Sequence, residues 1–119
     1  MISVGGSGIG AATAVNMANK GWHPVLIDAN ESGMAEVASQ IANSSIRGDC
    51  YVADVTDNQA LNNLANKIES DNGHVEALVT PDGIINNSQT ILEMDVKEHD
   101  RVWDVNYFGT IHTIRAFAQ

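Results

Sequence analysis

The 119-residue sequence predicts an α/β fold, a parallel sheet wound with helices on both faces. Three observations carry that reading. A glycine-rich turn, Gly5-Gly6-Ser7-Gly8-Ile9-Gly10, separates a short apolar stretch from a helical stripe. Apolar runs of strand length then alternate with stripes at helical spacing along the chain. A carboxylate, Asp28, closes the second apolar run, 18 residues after Gly10.

Taken in order, the first strand ends at the glycine turn. Ala11, Ala14, Val15 and Ala18 recur at helical spacing, and Gly21 stands where a helix-ending glycine belongs. Residues 23–28 form the second strand, with Pro24 tolerable only near its start. Met34, Val37, Ala38 and Ile41 mark the second helix, capped by Asn30 or Ser32. Residues 49–53 form the third strand and close on Asp54-Val55-Thr56-Asp57. Asp57 caps a helix whose stripe is Leu61, Leu64, Ala65 and Ile68, and Asn72-Gly73 ends it. Val75 to Val79 is expected as a fourth strand, followed by a polar loop over about 80–90. From about Lys97 to Gln119 the chain is mostly helical.

Right-handed crossovers turn this order into a Rossmann-type doubly wound sheet of about four strands, order 3-2-1-4. Residues 1–119 are expected to form a single domain of that type. Both ends read as cut: the first strand is short, and the last helix stops at Ala116-Phe117-Ala118-Gln119 with no glycine or basic turn.

The formal charge of −9 argues against nucleic acid and anionic membrane partners, which need clustered Lys and Arg. No apolar run reaches the ~20 residues of a membrane-spanning helix. A single cysteine, Cys50, and no basic-then-apolar leader point to a reducing cytoplasm.

The chemistry concentrates at the strand ends. In the glycine turn, the main chain can approach a pyrophosphate, and the free N–H groups of the helix start face its charge. Asp28 matches the acidic residue about 20 positions on in the dinucleotide fingerprint, where a carboxylate accepts from ribose hydroxyls. As a solvated strand-end residue it could instead cap Ser32. Asp54 could accept from an adenine amino group while the Val55 N–H donates to a ring nitrogen; alternatively, Asp54 is a turn residue beside the cap.

With these motifs in place, the chain resembles the short-chain dehydrogenase/reductase family over nearly its whole length, as the first half of such an enzyme. Ser-Gly-Ile-Gly-Ala-Ala at 7–12 resembles the cofactor turn, Asp28 the residue selecting NAD over NADP, and Asp54-Val55 the adenine pair. Asp104-Val105-Asn106-Tyr107-Phe108-Gly109-Thr110 is similar to the helix bearing the family's catalytic asparagine, here Asn106. The resemblance implies NAD as cofactor, with Gly5, Gly6, Ser7, Gly8, Ile9, Gly10, Asp28, Asp54, Val55 and Gly83 binding it. It implies hydride exchange with a carbonyl or secondary alcohol, and a water held by Asn106 in the proton relay.

Three departures stand out. Counting back from Gly10, Ser3 and Val4 stand where the family has Thr-Gly, so either Val4 replaces the first glycine or the turn lacks one residue, and a reshaped or strained turn is expected. The family's Asn-Asn-Ala-Gly reads Thr80-Pro81-Asp82-Gly83, and Asn86-Asn87 lies too close to Asn106 to replace it. Neither Tyr51 nor Tyr107 is followed four residues later by Lys, so the chain alone is expected to be inactive. No base lies near Asp28 in sequence: Arg47 is the only one between Lys20 and Lys67.

The four histidines show no metal-ligand spacing. Trp22 and Trp103 are expected as packing anchors, and Glu93 to Asp100 as a solvated face. Ile111, Ile114 and Phe117, with Tyr107 or Phe108, should form an apolar surface that a homo-oligomer covers through the C-terminal helix. The rival functional reading is a non-catalytic nucleotide-binding or assembly module.

Overall fold

The computed structural model describes residues 2–3, 5–42, 46–85 and 90–118. Three parallel strands, β1 (Ile2–Ser3), β2 (Val25–Asp28) and β3 (Asp49–Val52), lie in the order β1-β2-β3. Leu26 pairs with Ile2 on one side and with Cys50 on the other. Helices α1 (Gly8–Asn19), α2 (Glu31–Ile41) and α3 (Asn58–Asn72) follow successive strands. The C-terminal helix runs as α4 (Val96–Trp103), a π-helical stretch (Asp104–Gly109) and α5 (Thr110–Phe117).

The alternation of side chains along β2 divides the core into two layers. Leu26 packs with Ala14 and Ala18 of α1 and with Met34, Val37 and Ile41 of α2. Its neighbours Val25 and Ile27 pack the other way, against Leu61 and Ile68 of α3 and Ala116 and Phe117 of α5. This is the doubly wound arrangement, with β2 at its centre. Each large apolar side chain fully buried here contributes about 1.5–3 kcal/mol.

Local chemistry fixes the element ends. Helix α1 closes on Lys20: the Trp22 N–H donates to the Met17 carbonyl at 3.1 Å and the Gly21 N–H to that of Ala18 at 3.0 Å. Gly21 takes φ 89°, a conformation that disfavours a side chain. Asn30 caps α2 by accepting from the Gly33 N–H at 3.1 Å, and Asp57 caps α3 by accepting from that of Ala60 at 2.9 Å. Pro24 needs no ladder donor; its carbonyl accepts from the Asp49 N–H at 3.1 Å, just before β2.

Three expectations change. The segment 75–79 is not a full fourth strand: only Val79 makes a bridge. It still passes between the layers, with Leu78 packed on the α3 side and Val79 on the α1 side. Among the described residues β1 has two members. Trp22 and Trp103 are not packing anchors but 41% and 50% exposed, because they stand at the end of α1 and on the outer face of the C-terminal helix. Phe117 is buried against α3, whereas Tyr107, Phe108, Ile111 and Ile114 are exposed as expected. The expected reshaping at Val4 and the Asn86-Asn87 pair lie outside the described residues. Among the described residues no helix is long and apolar enough to cross a membrane.

Candidate functional site

The glycine turn is built by close approach. A Cβ on Gly5 would lie 2.8 Å from that of Leu26, and one on Gly6 2.9 Å from Asp28 Oδ2 and 3.2 Å from the Asn30 carbonyl oxygen. The Gly5 contact is shorter than real side chains tolerate and meets a buried core residue, so that position demands glycine, while a Cβ on Gly6 would force the Asp28 carboxylate and the Asn30 carbonyl to shift. Gly33 at the start of α2 sits so close to the Gly6 carbonyl that it too must lack a side chain. Ser7 is extended and its hydroxyl makes no capping bond to α1. Among the described residues the N–H groups of Gly8, Ile9 and Gly10 have no acceptor, and no acid occupies this first turn. Unsatisfied donors at a helix start attract an anion.

Asp28 is tied to that turn. Its Oδ2 accepts from the Gly6 N–H and its Oδ1 from the Asn30 N–H, each at 2.9 Å. A carboxylate has about four lone-pair sites, so each oxygen retains one for a ribose hydroxyl. The expected cap to Ser32 is made by Asn30 instead: the Ser32 hydroxyl donates to Asn30 Oδ1 at 2.9 Å.

Beside it lies a cleft of about 200 Å³. Asp28, Ala29, Ala53, Asp54 and Val55 line it from the strand ends, Gly83 and Ile84 from the following loop, and Arg101 and Val105 from the C-terminal helix. Four of the sequence-assigned residues, Asp28, Asp54, Val55 and Gly83, therefore meet in one place. Asp54 Oδ1 is engaged in its own turn, accepting from the Thr56 N–H at 2.9 Å and hydroxyl at 2.8 Å. Val55 is held from behind, with Gly109 packed tightly on its side chain and His112 Nδ1 3.2 Å from its carbonyl oxygen. Its N–H has no partner among the described residues.

Asn106 lies in the π-helical stretch, a distortion common at functional sites. Its Oδ1 accepts from the Ile84 N–H at 2.8 Å, and its Nδ2 donates to the Ile84 carbonyl at 2.9 Å. Gly83 makes only ordinary contact there: a Cβ would lie 3.8 Å from Asn106 Oδ1, so no crowding demands glycine.

Sequence spacing missed one side chain of the cleft and one pairing. Arg101 lines the same cleft as Asp28, although it is far away along the chain. A tyrosine–lysine pair also exists in space, with Lys67 Nζ 5.6 Å from the Tyr51 ring centre. Neither side chain lines the cleft of Asp28. Burial, and then the hydrogen bond from the Tyr51 hydroxyl to Asp71, hold the phenol above its ordinary range and therefore protonated.

A family model for short chain dehydrogenases matches residues 1–119. An uncharacterized oxidoreductase of Staphylococcus saprophyticus is 37% identical, over 92% of this chain and 47% of that one. A 1-deoxy-11-beta-hydroxypentalenate dehydrogenase of Streptomyces avermitilis is 29% identical, over 93% of this chain and 42% of that one. The structure of a short-chain type dehydrogenase/reductase from Mycobacterium marinum superposes with TM-score 0.93 at 25% identity, covering 98% of this chain and 47% of that one. An oxidoreductase from Haemophilus influenza, crystallised with bound NAD, shares the fold with TM-score 0.87 at 21% identity, covering 98% of this chain and 48% of that one. This chain thus spans about half the length of the relatives it matches. Matched along its whole length by the family model, and carrying the glycine cradle and strand-end carboxylate on a doubly wound sheet, the chain belongs to the short-chain dehydrogenase family.

Proposed function

We propose that residues 1–119 act as one dinucleotide-binding domain of an oxidoreductase and prefer NAD(H) to NADP(H). The observation that carries this reading is Asp28, fixed by the Gly6 N–H at the edge of the cleft that Asp54, Val55 and Gly83 also line. The residues fit such a ligand. The cradle of Gly5 and Gly6, with Ser7 beside it, leads to the donors of Gly8, Ile9 and Gly10, which would take the pyrophosphate. Asp28 would take the adenosine ribose, and Asp54 and Val55 the adenine edge. A 2′-phosphate beside the Asp28 carboxylate would be repelled. The NAD bound by the Haemophilus influenza protein agrees with this reading.

Bound, a nicotinamide dinucleotide supplies hydride exchange with a carbonyl or secondary alcohol carbon, the substrate class this reading assigns. The chain's own contribution is to bind and orient. With the Asn106 side chain committed to Ile84, its main-chain carbonyl is the group left to hold a water of the proton relay; the Thr110 hydroxyl already donates to it at 3.1 Å. The chain has no tyrosine with a lysine four residues on to move the hydroxyl proton, so it should not turn over alone. A cytoplasmic setting belongs to the same reading.

A second reading, an assembly module, is favoured by one observation. Trp103, Tyr107, Phe108, Ile111 and Ile114 stand exposed on the C-terminal helix, a surface suited to a second copy. Calorimetric titration with NAD and NADP tests the first reading. Tighter NADP binding would overturn the preference, and binding of neither would leave the assembly role.

A further inference from the structure

The helical wall of the cleft carries its one base among the described residues. Arg101 and Val105 stand one helical turn apart on the C-terminal helix, and both line the cleft with Asp28, Ala29, Ala53 and Asp54. Among the described residues the Arg101 guanidinium has neither an ion pair nor a hydrogen bond. The nearby acids do not claim it. Asp28 accepts from Gly6 and Asn30 main-chain N–H groups, and Asp54 Oδ1 from Thr56. The rest of the lining is largely apolar: Ala29, Ala53, Val55, Ile84 and Val105.

Apolar walls, an open N–H at Val55, a carboxylate at Asp54 and a planar cation make a slot for a flat, polar-edged aromatic ring. We propose that Arg101 is a positioning residue for the adenine of the cofactor, its guanidinium stacked on the purine face. This rests on the dinucleotide reading above. Guanidinium is planar, weakly hydrated and attracted to aromatic faces, so it stacks where a lysine ammonium does not. The alternative, a guanidinium reading a 2′-phosphate, would set that phosphate beside the Asp28 carboxylate in the same cleft.

The test is calorimetric titration of the whole chain and its R101A and R101K variants with adenosine monophosphate, NAD and NADP. Arg101 is exposed, so both variants should keep the wild-type circular dichroism spectrum. R101A is expected to weaken adenosine monophosphate and NAD by the same factor, roughly 2- to 30-fold, the range of cation–aromatic contacts. R101K, which keeps the charge but not the planar stack, should recover only part of that loss. Wild-type affinity in R101A, full rescue by lysine, or a loss confined to NADP would each overturn the proposal and leave the dinucleotide reading standing. Failure of the wild-type chain to bind adenosine monophosphate or NAD would overturn both.

Discussion

Asn106 and Ile84 are joined in both directions: the asparagine carboxamide accepts from the isoleucine N–H at 2.8 Å and donates to its carbonyl at 2.9 Å. A side chain thus imitates a neighbouring strand. It ties the loop after residue 79 to the C-terminal helix and sets the wall of the cleft at Gly83 and Ile84. Asn106→Ala should destabilise the chain by about 1–2 kcal/mol, the net worth of two neutral hydrogen bonds. Asn106→Asp should not restore it, since a carboxylate would face the Ile84 carbonyl. Urea unfolding midpoints check this; equal midpoints for wild type and alanine variant would show that the clamp carries no stability.

Asp28 should discriminate between cofactors. Asp28→Ala is expected to weaken NAD by about 1–3 kcal/mol, the range for hydrogen bonds to a charged group and for the disorder left when Gly6 and Asn30 lose their acceptor. The same substitution should narrow the gap to NADP by removing the repelling charge. Parallel titrations of both cofactors on both proteins measure it, and an unchanged preference would count against the role.

Gly6 offers a steric test independent of charge. Gly6→Ala keeps the N–H that Asp28 accepts but puts a methyl group 2.9 Å from Asp28 Oδ2 and 3.2 Å from the Asn30 carbonyl oxygen. Relief requires the turn and the start of α2 to separate, at about 1–3 kcal/mol, as for other overpacked sites. Gly8→Ala, where a Cβ meets nothing within 4 Å but φ is 53°, should cost less, about 1–2 kcal/mol of backbone strain. A larger loss at Gly8 than at Gly6 would contradict the packing described here.

The Lys67–Asp71 pair gives the chain a pH signature. The hydrogen bond from Lys67, the larger cause, holds Asp71 below its ordinary 3.8, and the same bond raises Lys67 above 10.5. The depressed carboxylate adds stability above its unfolded pKa, and loses it as pH falls through the folded one. The raised ammonium adds stability below its unfolded pKa, and loses it as pH rises through the folded one. The contribution is therefore present between these limits and lost outside them. Asp71→Asn should make the acid limb of a stability–pH curve slightly less steep as pH falls through and below the ordinary carboxylate range. A limb as steep as the wild type's would assign it to other carboxylates. Tyr51, raised by burial and then by Asp71, should ionise above pH 10 when its ultraviolet absorbance is followed.

The exposed stripe on the C-terminal helix predicts self-association. Trp103 packs edge-on to Tyr107, and Tyr107 to Phe108, with Ile111 and Ile114 farther along. Light scattering at micromolar concentration should show a dimer or larger species, and Ile114→Glu should dissociate it. A well-folded monomer would refute the expectation.

Much of this was legible in the sequence because it is local. The periods of Ala14 and Ala18, Met34 and Ile41, and Leu61 and Ile68 mark helix faces, and a helix with one apolar stripe has few ways to bury it. Gly21, Asn30 and Asp57 end or start helices by bonds within a few residues of themselves. The glycine turn and Asp28 could be joined across the intervening βα unit because their spacing is fixed by one helix and one crossover. Tertiary structure alone decided what depends on distant segments converging. That Asn106 would pair with Ile84, and that Arg101 would enter the cleft of Asp28, follow from where the C-terminal helix docks. So does the contrast between Phe117, buried on α3, and Ile114, left outside three residues earlier. No spacing rule encodes these contacts, because they are set by the packing of two core layers about β2 rather than by any period along the chain.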